Sequence, residues 1–160
     1  MSEMLPRLKS VKAMSGFKLK LVWRDGEARV CDLTGLIARS KALAPLTDAA
    51  IFGKVKIIDW GAGAGWPNGL DLSAQTLRRI SDEQESFDAT SFRAWQISLE
   101  LSNQEAADAL GLTLGTIKNY RKGQAIPPAV AVACRAMMSD PHIMAAHFRP
   151  RKPGRPHAGA

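Results

Sequence analysis

No stretch of the sequence approaches the roughly 20 consecutive apolar residues that a membrane-crossing helix needs. The first 16 residues carry scattered lysines but no apolar run of the kind a secretion signal contains, which predicts a cytoplasmic protein. Cysteine is scarce: Cys31 and Cys134 lie far apart, in segments that read as strand and helix. Two lone thiols without an export signal are expected to be reduced, buried and unreactive rather than bridged. Histidine is scarcer still in useful places, because His142, His147 and His157 all sit near the C-terminal end with no metal-ligand spacing. Neither a metal nor a cofactor is expected. Asp25, Asp32, Asp48, Asp59 and Asp71 are dispersed among turns and caps, and no nucleophile, base and orienting group converge. The expectation is a protein without catalytic residues.

Negative charge is missing from two particular places. Gly111–Gly123, "GLTLGTIKNYRKG", holds three cations and no acid, and the last twelve residues hold four cations and no acid. Residues 1–85 carry a net charge of +3 and residues 86–148 are neutral, so the tail is the most basic part of a chain whose net charge is +7. Such a balance makes a polyanionic partner plausible without proving one.

At 160 residues, 46% of them hydrophobic, the chain suits one ordinary domain or two small ones. "FKLKLVWRDGEARVCDL" reads as a β-hairpin, with Leu19, Leu21 and Trp23 alternating against lysines and Asp25-Gly26 at the turn. Short helical pieces interrupted by Pro45 follow, then a strand over "VKIIDW", a wide hairpin loop over "GAGAGWPNG" and a short helix beginning at Ser73. The glycine-rich loop has no Lys-Ser/Thr after it, and Pro67 blocks a phosphate-cradling helix start. Trp60 and Trp66, which flank that loop, are expected to pack on each other in preference to stacking on bases.

Ser81–Ser91 is polar and acidic, the composition of a linker, and the spacing changes to a helical period after Thr90, with Phe92, Trp95 and Leu99 on one face. The predicted fold class is α+β: a small α+β domain over residues 1–85 (hairpin plus short helices), an all-α helix-turn-helix domain over 86–148, and a disordered basic tail over 149–160.

Within the helical half, Ser102 and Glu105 have the spacing of a capping box, Gly111 falls where a left-handed residue ends a helix, and Thr113 can cap the next. Leu112 and Ile117 are placed to staple the second helix. Ala107, Leu110, Gly111, Leu112, Ile117, Tyr120 and Gly123 fall where the phage-repressor-like (XRE/Cro type) helix-turn-helix family places its packing residues, and residues 90–138 resemble that family. The resemblance implies major-groove DNA binding by helix 113–122, usually as a homodimer. The DNA-facing set would be Gln104, Thr113, Leu114, Gly115, Thr116, Lys118, Asn119, Arg121 and Lys122. Lys118, Arg121 and Lys122 suit phosphates or guanine, and Asn119 suits adenine. Backbone amides near Gln104 and Leu114 suit phosphate. Leu114 and Gly115 stand where the family commonly has polar base-reading residues, and Arg121 where it often has an acid.

"PRKPGRP" in the tail adds Arg151, Lys152 and Arg155. It is similar to the AT-hook, whose core is Arg-Gly-Arg-Pro, but Pro153 stands in place of the first arginine; a generic basic arm is the simpler reading. "WPNGLDL", with the "DG" hairpin and "LTDAAIFGKVKI", resembles the bacterial family called domain of unknown function 2442 over about residues 16–80. That resemblance implies a small α+β fold and a regulator or antitoxin-like role. The expected function is a bacterial transcriptional regulator that binds double-stranded DNA. The alternative is an antitoxin-like protein whose first domain holds a protein partner and whose helix-turn-helix only autoregulates.

Overall fold

A computed structural model describes residues 4–150. They fall into two compact units divided between Glu85 and Ser86. The fold is α+β: strands and short helices in the first unit, helices alone among the described residues of the second.

The expected hairpin is present. Strands β2 (Lys18–Trp23) and β3 (Ala28–Asp32) pair antiparallel with Lys20 opposite Val30. Leu19, Leu21 and Trp23 point into the core while Lys18 and Lys20 stay exposed and Val22 is half-buried, the period-2 burial of a half-buried sheet. Asp25 Oδ1 accepts from the Glu27 amide at 2.9 Å and shapes the turn. A strand that the sequence reading did not anticipate, β1 (Leu8–Met14), adds to the outer edge of β2. A register shift between Leu8 and Ser10 breaks its alternation, because a bulge spends one residue without a partner.

After the meander come α1 (Thr34–Arg39), a 3-10 turn at Ala44–Thr47 and α2 (Ala49–Phe52), capped by the Asp48 side chain. A second antiparallel sheet follows, in the order β4 (Lys56–Ile58), β5 (Gly63–Gly65), β6 (Asp71–Ser73). Here the expectation of a wide loop over "GAGAGWPNG" is corrected: part of it is the central strand. Its glycines provide closeness. A Cβ on Gly63 would meet the Leu72 carbonyl oxygen at 2.8 Å, and one on Gly65 would meet Ile58 Cγ2 at 2.8 Å.

The expected pairing of the tryptophans is also corrected. Trp66 is buried, its indole N–H donating to the Phe52 carbonyl at 3.0 Å and its ring 6.0 Å from that of Phe52. Trp60 is 86% exposed. Asp59 and Trp60 both have positive φ, 49° and 52°, and this left-handed pair turns the Trp60 side chain out of the core.

Helix α3 (Ala74–Glu83) starts at the Ser73 cap, as expected, but runs into the segment read as a linker and buries Ser81. Arg78 ties α3 to the hairpin turn through Asp25 and Glu27, and its guanidinium lies 5.2 Å from the Trp23 ring. The Gln84 amide exchanges two 2.8 Å hydrogen bonds with the backbone of Asp32, pairing the last residue of β3. The core joins Leu8, Leu19, Leu21, Trp23 and Cys31 to Leu46, Phe52, Trp66 and Leu77.

The second unit comprises α4 (Ala89–Ser98), α5 (Asn103–Leu110), α6 (Leu114–Lys122), α7 (Pro128–Ser139) and α8 (Pro141–His147). Phe92 and Trp95 are fully buried and pack with Tyr120, Ile117, Ala107 and Cys134. The Phe92 ring meets Tyr120 edge-on at 5.5 Å. No helix among the described residues is long and apolar enough to cross a membrane.

Candidate nucleic-acid interface

The local chemistry that builds α5 and α6 is the chemistry of their caps. Ser102 Oγ accepts from the Glu105 amide at 3.1 Å while Glu105 Oε2 accepts from the Ser102 amide at 3.1 Å, a closed capping box. Gly111 ends α5 at φ 66°, ψ 32°, a conformation that costs a side-chain-bearing residue most and glycine least. The Leu112 amide then donates to the Ala107 carbonyl at 2.9 Å. Thr113 caps α6 by accepting from the Thr116 amide at 3.2 Å. Leu112 and Ile117 join the same core cluster, so the staple holds the angle of the turn. Alanines at 106 and 107 have no exposed surface and let the helices approach.

Burial of Ile117 and Tyr120 orients α6. Gly115, Lys118, Asn119 and Lys122 are exposed, and their spacing of three and four residues puts them on one helical face. No carboxylate among the described residues pairs with Lys118 or Lys122. The face is a short cationic strip with one amide at its centre. Thr113 is exposed at the cap, and Leu114 and Thr116 are half-buried, with the Thr116 hydroxyl 2.9 Å from that of Thr113. Gln104 is exposed on α5, where its amide donates to Asp108 Oδ1 at 3.1 Å.

Arg121 departs from the strip. It is half-buried, and its Nη1 donates to Gln96 Oε1 on α4 at 2.7 Å. Gln96, only 3% exposed, uses its own N–H groups on the Leu101 carbonyl (3.3 Å) and Asn103 Oδ1 (3.2 Å). Arg93 Nη1 donates to the Arg121 carbonyl at 2.6 Å. One buried amide therefore links α4, the first turn of α5 and the last turn of α6. Gln96, Arg93 and Asn103 are not among the residues that the sequence marks as functional. The available signal was a polar residue at position 96, on the face set by Phe92, Trp95 and Leu99.

Arg151, Lys152 and Arg155 lie outside the described residues. Among the described ones, no group of three His, Cys, Asp or Glu side chains could hold a metal ion. Cys31 and Cys134 are free and buried, and burial pushes their thiols up to about 11 and about 12.

No curated protein matches the chain. A crystal structure of a candidate DNA binding protein, NE0471 from Nitrosomonas europaea ATCC 19718, is similar at 27% identity over 86% of this chain and 90% of that one, with a TM-score of 0.48. Residues 8–83 match the family described as protein of unknown function (DUF2442), so the matched region begins at β1 and spans nearly all of the first unit.

Proposed function

We propose that the second unit is a helix-turn-helix that binds double-stranded DNA, with α6 in the major groove, and that the protein is a transcriptional regulator. The observation that supports this reading most is the division of α6. Ile117 and Tyr120 are buried, and the opposite face presents Lys118, Asn119 and Lys122 with no acid on the helix. A helix between two rows of phosphates excludes carboxylates unless they read a cytosine. Asn119 is the base-reading residue, through the two-point contact that an amide makes with adenine. Lys118 and Lys122 contact phosphates, as do the amides that open α5 and α6. Leu114 offers a thymine methyl only a hydrophobic contact, and Gly115 offers no side chain. One helix reads too few base pairs for useful specificity, so the DNA-bound form is a two-fold dimer.

The test is selection of bound sequences from a random duplex pool, followed by titration of the preferred site. A preferred site with two related half-sites about one helical turn apart supports the reading. Absence of any preferred sequence, together with binding by Lys118→Glu equal to that of the parent, overturns it.

A further inference from the structure

Trp60 stands out as a large side chain left in solvent on a backbone that two arginines hold. Its carbonyl accepts from Arg24 Nη2 at 2.7 Å, and the preceding Asp59 carbonyl accepts from Arg7 Nη1 at 3.1 Å. Two arginines thus fasten a backbone that already occupies the left-handed region at both residues. The same two arginines line a groove of about 280 Å³ whose walls are Met4, Leu5 and Pro6 and which also includes Trp23. Met4 is 95% exposed and Leu5 62%, so two of the groove's apolar walls face solvent. Trp23 itself is buried, yet its indole N–H has no acceptor among the described residues.

We propose that this surface docks an acidic, apolar peptide segment of a partner protein. The volume suits one or two side chains and is below the usual size of a small-molecule site, about 300–1,000 Å³. Trp60 does not line the groove, but Arg24 does and also holds the Trp60 carbonyl, so apolar walls and an exposed tryptophan share one arginine, a composition suited to an interface anchor. The charge selects the occupant's sign: no described carboxylate pairs with Arg7 or Arg24, and Asp25 at the rim is already held by Arg78. Asp59 is the acid that remains on the turn. A carboxylate on the incoming segment would meet the guanidiniums of Arg7 and Arg24, each of which keeps N–H groups beyond the one carbonyl it holds. A second copy of this chain would bring the same arginines and answers that charge poorly. Nucleic acid is disfavoured because a lone aromatic beside apolar walls offers neither a row of stacking platforms nor a phosphate track. The inference does not depend on DNA binding by α6.

The full chain is panned against a display library of random 12-residue peptides, with counter-selection on Trp60→Ala. The expected result is enrichment of peptides that combine Asp or Glu with a large apolar residue. A synthetic enriched peptide should shift the tryptophan emission of the parent to shorter wavelength, and Trp60→Ala, Leu5→Ser and Arg24→Glu should each weaken it at least tenfold. Leu5→Ser leaves both arginine–carbonyl contacts in place, so it reports on docking even if Arg24→Glu disturbs the turn. Failure to enrich any Trp60-dependent peptide, or enrichment of neutral or basic ones, overturns the proposal. So does sedimentation showing that Trp60→Ala converts a dimer to a monomer, which makes a second copy the occupant. Unchanged selection in Lys118→Glu separates this result from the DNA reading.

Discussion

Arg121 at the end of α6 donates to Gln96 in the last turn of α4 at 2.7 Å, so a side chain that the sequence marks as a phosphate ligand is engaged inside its own fold. An arginine anchored by a buried amide holds the last turn of α6 in place, and the Arg93 contact to the same residue's carbonyl holds it from the other side.

Replacing Gln96 by leucine should therefore cost more than its area suggests. The change leaves the half-buried Arg121 guanidinium and Asn103 without their partner, a loss of about 1–3 kcal/mol. Gln96→Glu keeps an acceptor for Arg121 but sets its second oxygen against the Leu101 carbonyl and Asn103 Oδ1, so it should restore only part of the loss. Denaturant melts of the two variants check this, and equal destabilisation by both would show that the Arg121 contact contributes little.

On α6, Asn119→Ala should cost about 1–3 kcal/mol on the preferred DNA site and little on random duplex. Lys122→Ala should weaken both alike and flatten the slope of log K against log salt by about 0.9. Lys118→Glu should impair both without lowering the melting temperature, because position 118 is exposed. Arg121→Ala should differ from Lys122→Ala by lowering thermal stability as well as binding. Binding isotherms at two salt concentrations, beside thermal melts, separate these outcomes.

Removing residues 151–160 takes away Arg151, Lys152 and Arg155. The melting transition should be unchanged, while affinity for all duplexes falls and becomes less salt-dependent. A loss confined to A·T-rich sites would instead identify minor-groove reading by the tail. Filter-binding on mixed and A·T-rich duplexes distinguishes the two.

Acid should destabilise the chain through carboxylates that accept from nearby backbone amides. The Ser91 amide on Asp88, the Thr34 hydroxyl and amide on Asp32, and the Glu27 amide on Asp25 each hold the carboxyl below its ordinary value. The folded state then binds fewer protons than the unfolded one, so this stability is complete above the unfolded value, about 3.9, and disappears as pH falls through the lower folded values. Melting temperature measured from pH 6 to pH 2 should fall most steeply below about pH 4. Asp88→Asn should have a shallower fall than the parent.

The thiols should be inert in the folded chain. With Cys31 and Cys134 pushed up to about 11 and about 12 and both buried, a thiol reagent at pH 8 should label neither until the unit that holds it unfolds. Mass spectrometry after labelling in increasing urea reads the two sites independently. Labelling of Cys31 in buffer alone would show that the first unit opens locally.

Local chemistry accounts for what the sequence determined by itself. The Ser102 box, the left-handed Gly111 and the Thr113 cap all rest on neighbours within about one helical turn, whose spacing is visible in the chain. The β2–β3 hairpin is legible for the same reason, since its turn and its alternation are contiguous. Tertiary structure decided the rest. Strand β5 exists because Gly63 and Gly65 admit the Leu72 backbone and the Ile58 side chain, a closeness that composition alone presents as a flexible loop. Strand β1 is obscured by its bulge, and Gln96 acquires its role only when α4 meets α6. At Trp60, Arg7 and Arg24, 52 and 36 residues from the carbonyls they hold, fasten a left-handed backbone that a tryptophan seldom adopts.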